Sequence, residues 1–283
     1  MMIELDKKML YRNGLSYDDV LLVPKYSDIK SRSEIDLSSN LGKDLILSLP
    51  IFSSPMDTVS GKDMCIAMDT AGGAGIVHRY NTIEEQSVII SDAAKNINNN
   101  IGAAVGITGD YLERASEAYS QGANFICVDV AHGHHSSMKL ALHRLRIMLG
   151  DHYHIMAGNV ATVEGINDLA EWGADSVRCN IGGGSICSTR IQTGHGVPGL
   201  QTIIDCAHTD RDVTIIADGG IRNSGDIVKA IAAGADAVMC GSLLAGTTES
   251  PGKIEEDRQG FKWKTYRGMA SKEAQMDWKG KYS

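Results

Sequence analysis

The sequence contains no long apolar run. Across its 283 residues, no window approaches the roughly 18 consecutive apolar residues that a membrane-spanning helix needs. The N-terminus opens MMIELDKKMLYRNGLSYDD, with charges throughout and no apolar stretch of the kind that signal peptides contain. These absences exclude a membrane protein and predict a cytoplasmic one. With 43% hydrophobic residues, the chain can bury a large core, and we expect residues 1–283 to form one domain.

Paired cysteines at ligand spacing are also missing, as is any excess of positive charge. The six cysteines include no C-x-x-C pair and no zinc-ligand spacing, which argues against a disulfide framework and a zinc site. The formal net charge of -8 argues against a surface that coats nucleic acid. His132, His134 and His135 have no acidic or cysteine partner at ligand spacing, so they are predicted to be polar loop residues, ahead of metal ligands. An anionic ligand must therefore be held by local groups of the chain.

Eight short apolar runs alternate with segments of helical periodicity. The runs cover residues 50–55, 73–78, 101–106, 124–130, 153–158, 175–180, 213–219 and 236–241. Strands that are apolar on both faces and separated by a helix are typical of a parallel sheet with crossover helices. Eight such units favour a closed (β/α)8 TIM barrel. An open doubly wound sheet is the alternative, but it should have a G-x-G-x-x-G turn after its first strand, where this chain has SSPMDTVSG.

In a barrel of this kind, function lies in the loops at the C-terminal ends of the strands. The loops DGGIRNSGD and CGSLLAG follow the last two predicted strands, where barrel enzymes frequently bind phosphate with backbone N–H groups. The phosphate candidates are Gly219, Gly220, Gly241 and Ser242. Asp218, a carboxylate at a strand end, suits a sugar diol. The alternative is that these glycines only form tight turns, but two successive loops of this composition favour a phosphate site.

The loop after the sixth predicted strand is unusually long and contains GGGSICSTR. Long ordered loops in a compact domain are usually functional. Cys187 stands between a glycine run and Ser188, Thr189 and Arg190, among backbone N–H groups and near a cation. Such surroundings activate a thiol as a nucleophile. The alternative is an inert buried thiol, which is the prediction for the three cysteines that lie within strand patterns.

Seven sequence blocks, in order along the chain, resemble the IMP dehydrogenase/GMP reductase family. They are GLSYDDVLLVP, SSPMDTV, AGNVAT, GGGSICSTR, ADGGIRNSGDIVKA, GSLLAGTTESPG and YRGM, and the resemblance extends from residue 14 to residue 276. It implies a (β/α)8 barrel, a homotetramer, and a reaction in which a loop cysteine attacks C2 of a purine nucleoside monophosphate. A nicotinamide dinucleotide then accepts or donates the hydride.

The resemblance also implies roles for individual residues. Cys187 is the nucleophile, and Thr189 takes part in proton transfer. The residues implied to hold the nucleotide are Ser54, Met56, Ser185, Asp218, Gly219, Gly220, Gly241, Ser242, Tyr266, Gly268 and Met269. Those implied on the cofactor side are Arg79, Asp129, Val130, Ala131 and Asn159. Backbone carbonyls of Gly182, Gly184 and Cys187 correspond to a K⁺-binding loop, although the family's Gly-Ile-Gly-Pro-Gly reads Asn180-Ile181-Gly182-Gly183-Gly184 here.

Two reactions fit such a site, and the sequence favours NADPH-dependent reduction of GMP to IMP and ammonia. The first alternative is oxidation of IMP to XMP with NAD, and the second is a barrel that binds purine nucleotides without turnover. No regulatory (CBS) module interrupts the stretch between the second and third strands, and the loops HRY, MAGNVAT and DVAHGH resemble reductases.

The segment after YRGM also bears on the reaction. In dehydrogenases of the family a mobile flap carries an Arg-Tyr pair there that activates water, and ASKEAQMDWKGKYS has no such pair. Family members continue beyond this point with a glutamate that acts with the threonine equivalent to Thr189. We therefore expect this chain to be truncated before the end of its flap.

Overall fold

The chain folds into a closed barrel of eight parallel strands. The computed structural model describes residues 14–97 and 100–279. Two short strands, β1 (Ser39–Asn40) and β2 (Ile46–Leu47), form an antiparallel hairpin ahead of the barrel. The barrel strands are β3 (Ile51–Ser53), β4 (Ala74–Val77), β5 (Ile101–Val105), β6 (Phe125–Asp129), β7 (His154–Val160), β8 (Ser176–Cys179), β9 (Thr214–Asp218) and β10 (Ala237–Cys240). Each strand pairs in parallel with its neighbours, and β10 closes the ring on β3.

A helix follows each barrel strand. The helices are α1 (Lys62–Thr70), α2 (Ile83–Ala94), α3 (Tyr111–Ser120), α4 (Ser136–Leu149), α5 (Val163–Glu171), α6 (Thr189–Thr193), α7 (Gly199–Cys206), α8 (Ser224–Ala232), α9 (Ser242–Ala245) and α10 (Lys272–Lys279). A small hairpin of β11 (Glu255–Glu256) and β12 (Lys262–Trp263) separates α9 from α10. Within the described residues, no helix has both the length and the apolar character to cross a membrane. The predicted (β/α)8 barrel is confirmed, with every predicted strand in place.

Local sequence signals explain where several helices begin and end. Thr82 starts α2 with a capping box, in which its hydroxyl accepts from the Glu85 amide and the Glu85 carboxylate accepts from the Thr82 amide. Thr162 starts α5 by accepting from the Gly165 amide. Just beyond α3, Gly122 has φ +103, a left-handed conformation that glycine adopts without steric cost. The residues that begin and end these helices can therefore be recognised in the sequence.

The β1–β2 hairpin closes the N-terminal end of the barrel. Its residues Leu41, Leu45 and Leu47 are buried and form one apolar cluster with barrel residues that include Phe52 and Phe125. The rings of Phe52 and Phe125 meet edge to face at 5.7 Å between centroids. Because this end is sealed by apolar packing, the open end of the barrel is the C-terminal one, where the predicted site lies.

One titratable group is enclosed at the sealed end. His154, at the start of β7, is fully buried. Its Nδ1 lies 3.1 Å from the Gly42 carbonyl oxygen and its Nε2 lies 2.7 Å from the Ser176 hydroxyl. Because a carbonyl oxygen only accepts, Nδ1 carries the proton and Nε2 accepts from Ser176. Burial lowers the pKa of His154 to about 4, although the charge of Asp175 acts in the opposite direction.

Acidification should destabilise the fold through His154. Its pKa in the folded chain lies below the ordinary value, so the unfolded chain binds more protons between about pH 4 and pH 6.5. The stabilising contribution is complete above that window and is lost as the pH falls through it, by about 3 kcal/mol. Urea unfolding at neutral and mildly acidic pH measures the effect.

The variant His154→Gln should show a weaker dependence of the free energy of unfolding on pH. Part of the dependence should persist, because burial also lowers the pKa of His78 to about 4. His143→Gln, at an exposed histidine of α4, is the control for the substitution itself. Identical pH profiles for the parent chain and His154→Gln would contradict the assignment.

Candidate active site

The loops at the C-terminal ends of the barrel strands enclose a cavity of about 340 Å³. Every residue that the sequence analysis assigns to the nucleotide, the cofactor, the nucleophile or the cation turn lines this one cavity. The set is Ser54, Met56, Arg79, Asp129, Val130, Ala131, Asn159, Gly182, Gly184, Ser185, Cys187, Thr189, Asp218, Gly219, Gly220, Gly241, Ser242, Tyr266, Gly268 and Met269. The barrel thus brings together residues spread over more than two hundred positions, and their individual roles remain predictions.

Cys187 lies in a turn just ahead of α6. Its amide donates to the Gly184 carbonyl at 3.1 Å, and its thiol donates to the Thr189 hydroxyl, with 3.2 Å between Sγ and Oγ1. All six cysteines belong to the described part of the chain, and Cys187 is half-buried whereas the other five are buried. The Cys187 thiol therefore lines the cavity, and the Thr189 hydroxyl beside it can relay a proton.

The same turn is where the resemblance implies K⁺. Of the three carbonyls concerned, that of Gly184 already accepts the Cys187 amide. Gly182, with φ +87, has the Arg190 side chain against it, since a Cβ atom there would lie 2.5 Å from Arg190 Cγ. The Gly184 carbonyl therefore already has one hydrogen-bond donor within the turn. The cation remains a prediction.

A buried arginine stands at the centre of the site. Arg178, on β8, donates to Asp129 Oδ1 at 2.6 Å and to Asp218 Oδ2 at 2.7 Å, and its side chain is 7% exposed. Burial alone would raise the pKa of Asp129, but the charges of Arg178 and Arg79 outweigh it and hold that pKa below its ordinary value. Arg178 therefore joins the predicted cofactor side of the cavity to the predicted nucleotide side.

Arg178 is a site residue that was not predicted from the sequence. The available signal was its position in DSVRCN, a run predicted to be an apolar strand, because a charge inside a doubly buried strand needs a partner. Asn159, which was predicted, joins the same network by donating to Asp218 Oδ2 at 2.7 Å and to the Asn180 carbonyl at 3.0 Å. Asp218 is thus fixed through one oxygen by an arginine and an amide.

Arg79 bears on whether a dinucleotide fits. Its Nε lies 3.6 Å from Asp129 Oδ2, too far for a hydrogen bond, and this atom is buried without a hydrogen-bond partner among the described residues. A buried donor that is left unpaired is costly unless a ligand accepts from it. Arg79 lines the cavity, so it suits a polar acceptor of a bound cofactor.

The segment from Tyr266 to Met269 forms part of the cavity wall. Arg267 anchors it, with Nε donating to Asp57 Oδ2 at 3.0 Å and Nη1 bonded to Asp277 of α10. Burial raises the pKa of Tyr266, whose hydroxyl lies 3.9 Å from the sulfur of Met56. The SSPMDTV and YRGM blocks, distant in sequence, therefore meet over the cavity.

Gly241, directly after β10, lines the cavity, and its surroundings leave no room for a side chain. A Cβ atom there would lie 2.7 Å from the Tyr266 hydroxyl and 3.3 Å from the Met56 sulfur. Its φ of -108° is ordinary for any residue. A side chain at position 241 would therefore intrude on the cavity without straining the backbone.

Gly241→Val should raise the KM for the nucleotide about tenfold or more while the barrel stays folded, because the added methyl groups occupy the space of the ligand. Steady-state kinetics together with the thermal midpoint measures both. Gly246→Val is the control, since a Cβ atom at Gly246 would have nothing within 4 Å. Equal nucleotide KM values for Gly241→Val and the parent would remove Gly241 from the site.

Two of the three histidines of the β6–α4 loop, His134 and His135, have hydrogen-bond partners. His134 Nε2 lies 2.7 Å from Asp168 Oδ2, on α5, and His135 caps α4 by accepting from the Ser137 amide. No acidic residue lies at ligand spacing in the sequence around this loop, but in the fold Asp168, thirty-four residues from His134, contacts it. In residues 14–97 and 100–279, no three His, Cys, Asp or Glu side chains gather where they could hold a metal ion.

Comparison with known proteins identifies the family. A model of the IMP dehydrogenase / GMP reductase domain matches residues 14–283. An inosine-5'-monophosphate dehydrogenase of Nitrosopumilus maritimus is 33% identical, over 96% of this chain and 83% of its own length. The enzymes of that name from Borreliella burgdorferi and Cryptosporidium parvum are each 38% identical, over 92% and 91% of this chain and 76% and 74% of their own lengths. The Nitrosopumilus alignment spans 398 positions, more than the 283 residues of this chain, so that relative has residues within the aligned region that have no counterpart here. The chain therefore belongs to the IMP dehydrogenase/GMP reductase family.

Proposed function

We propose that this chain is a purine nucleotide oxidoreductase that oxidises inosine 5'-monophosphate (IMP) at C2 to xanthosine 5'-monophosphate (XMP). The observation that carries the proposal is Cys187, a half-buried thiol facing a cavity of about 340 Å³ and bonded to a hydroxyl. The direction of the reaction is supported by the three relatives described above, all of which bear the dehydrogenase name. They favour the dehydrogenase over the reductase that the sequence blocks favour.

The nucleotide is held by three sets of groups, one each for the phosphate, the ribose and the base. The backbone of Gly219, Gly220 and Gly241, with the Ser242 hydroxyl, receives the phosphate. All bonds from Arg178 and Asn159 to the Asp218 carboxylate go to Oδ2, which leaves Oδ1 to accept from the ribose hydroxyls. Tyr266, Gly268 and Met269 cover the base. These contacts place C2 of the purine against Cys187.

The chemistry begins with the thiol. Sγ of Cys187 adds to C2 while Thr189 relays the thiol proton, and C2 loses its hydrogen as hydride. Water then adds to C2, the C2–S bond breaks, and the thiol is restored. Over the cycle one water is consumed, a hydride leaves, and one proton is released. The bound dinucleotide supplies the acceptor for the two electrons of the hydride, and NAD is the proposed form.

The cofactor side consists of Arg79, Asp129, Val130, Ala131 and Asn159. Arg79 offers an unpaired buried donor, and Arg178 fixes the Asp129 carboxylate. Fixed polar groups that need no reorganisation are what an oxidoreductase site requires to orient a reacting ring.

The GMP reductase remains the second candidate. Residues 270–279, which comprise helix α10 and the two residues before it, contain no Arg-Tyr pair that could activate water. In that reaction the thiol adds to C2 of GMP, ammonia leaves with a proton relayed by Thr189, NADPH supplies the hydride, and the thiol departs to give IMP. Water takes no part, so such a pair is not needed.

One pair of assays separates the candidates. The full chain is incubated with IMP and NAD, and separately with GMP and NADPH, while the absorbance of the reduced nicotinamide is followed. We expect the first mixture to gain absorbance faster than the second loses it. The reverse result assigns the reductase. Nucleotide binding with no change in either mixture indicates a barrel that binds without turnover. Light scattering of the same sample tests the proposed homotetramer.

A further inference from the structure

The turn ahead of Cys187 departs from the family pattern at two positions, and the two replacements touch each other. Asn180 stands where the pattern has glycine and Gly183 where it has proline. A Cβ atom at Gly183 would lie 2.4 Å from Asn180 Nδ2 and 2.5 Å from Asn180 Oδ1. The Asn180 amide thus occupies the space that a larger residue at position 183 would need.

The amide of Asn180 connects two loops. Its Nδ2 donates to the Asp218 carbonyl at 2.7 Å and approaches the Gly219 carbonyl at 3.4 Å. Its Oδ1 accepts from the Gly183 amide at 3.2 Å. Asn180 is 5% exposed and lines the cavity. One buried side chain therefore bonds both to the turn that carries Cys187 and to the loop that carries Asp218.

The two loops approach each other closely, backbone to backbone. A Cβ atom at Gly220 would lie 3.1 Å from the Gly183 carbonyl oxygen, and one at Gly219 would lie 3.5 Å from Gly184 Cα. Glycines on both sides permit this approach. The Asn180 amide bonds to both segments across this close approach.

We infer that Asn180 is a positioning residue that ties the cysteine turn to the Asp218–Gly220 loop, and that Gly183 is its size-matched partner. The inference rests on the proposed function for its consequence, which is that the nucleophile and the nucleotide-binding loop move as one unit. A proline at position 183 would stiffen this turn through its ring, whereas this chain holds it with hydrogen bonds. The turn is held either by the Asn180 amide with glycine at position 183 or by a proline at position 183 with glycine at position 180. The Asn180 amide and a proline at position 183 do not fit together.

The test is a double-mutant cycle of Asn180→Gly, Gly183→Pro and the combination. Asn180→Gly should weaken binding of IMP and GMP about tenfold and speed alkylation of Cys187 by iodoacetamide about tenfold, because the lost bonds let the loops separate. Gly183→Pro should do the same, because its ring displaces the amide. The combination should restore both quantities to within about threefold of the parent. Asn96→Gly, at an exposed asparagine, is the control.

Each outcome decides the inference. Recovery in the combination supports a size-matched pair, whereas effects that multiply overturn it, as does an Asn180→Gly chain with parental alkylation and affinity. If Gly183→Pro fails to fold, Gly183→Ala adds only the Cβ atom and enters the same cycle. Alkylation needs no nucleotide, so a parent chain that binds neither IMP nor GMP would count against the proposed function while the alkylation arm still tests the pair.

Discussion

Replacing Cys187 with alanine should abolish turnover while nucleotide binding survives. In the proposed mechanism the thiol forms the covalent bond to C2, so its removal would force the reaction through direct hydride transfer from an unactivated ring. Loss of a covalent nucleophile and the groups coupled to it costs about three orders of magnitude in rate or more. Cys187→Ser should behave alike, because a serine hydroxyl is a far weaker nucleophile without a dedicated base. Turnover under saturating nucleotide and cofactor, with affinity measured by calorimetry, separates the two effects.

A second cysteine gives the matched control. Cys65, on α1, is fully buried, and burial raises the pKa of its thiol to about 12. It packs against Gly75 of β4, since a Cβ atom there would meet its Sγ at 2.6 Å. Cys65→Ala should lower stability modestly and leave the turnover number unchanged. A Cys187→Ala chain that kept a sizeable share of the parent activity would refute the nucleophile.

The barrel was predictable from sequence because its signals are local. Each strand is a short apolar run, and the helices between them carry their own caps, such as Thr82 and Thr162. The glycine-rich loops were equally visible, since strand ends fix which side of the barrel each loop reaches. The phosphate candidates and Cys187 could therefore be predicted from the loops themselves, whereas the assignment of residues such as Tyr266 and Met269 came from the family resemblance.

The parts that escaped prediction depend on pairing between distant strands. Arg178 is buried only because Asp129 of β6 and Asp218 of β9 flank it, and no local pattern on β8 reports those neighbours. The long loop after β8 also contains helices α6 and α7, which its glycines and polar residues obscured. Likewise, the bond between Asp57 and Arg267 joins residues 210 positions apart. Tertiary contacts, and not propensity, determine these features.

Among these variants, Arg178→Met should lower the free energy of unfolding the most, and it should also reduce the turnover number. The substitution removes the positive charge between two largely buried carboxylates, those of Asp129 and Asp218. Breaking a buried ion pair from one side costs about 3 to 5 kcal/mol in the free energy of unfolding. Without Arg178, only Arg79 still lowers the pKa of Asp129 against the effect of burial, so that pKa should rise relative to the parent chain, and the variant should lose less stability than the parent as the pH is lowered. Urea unfolding across the acidic range measures both effects.

Kinetics distinguish a site residue from a merely structural one. Arg178 bonds to a carboxylate on each side of the cavity, so the folded variant should show a raised KM for both nucleotide and cofactor as well as a reduced turnover number. Arg146 supplies the comparison, because it is also largely buried, bonds to Asp175 at 2.7 Å, and does not line the cavity. Arg146→Met should lower stability and leave both KM values unchanged. If the two variants lost stability equally and both kept parental KM values, Arg178 would hold the barrel together without positioning the site.

A second substitution identifies which charge matters. In Arg178→Met combined with Asp129→Asn, one of the two stranded carboxylates becomes a neutral amide, so part of the lost stability should return. Nucleotide affinity should recover little, because Asp218 Oδ2 still lacks the two hydrogen bonds that it accepts from Arg178 in the parent chain. The cofactor KM should stay high, because Asn159 alone cannot replace the bridge between the two halves of the cavity. Stability and function would then respond to different partners of the same arginine.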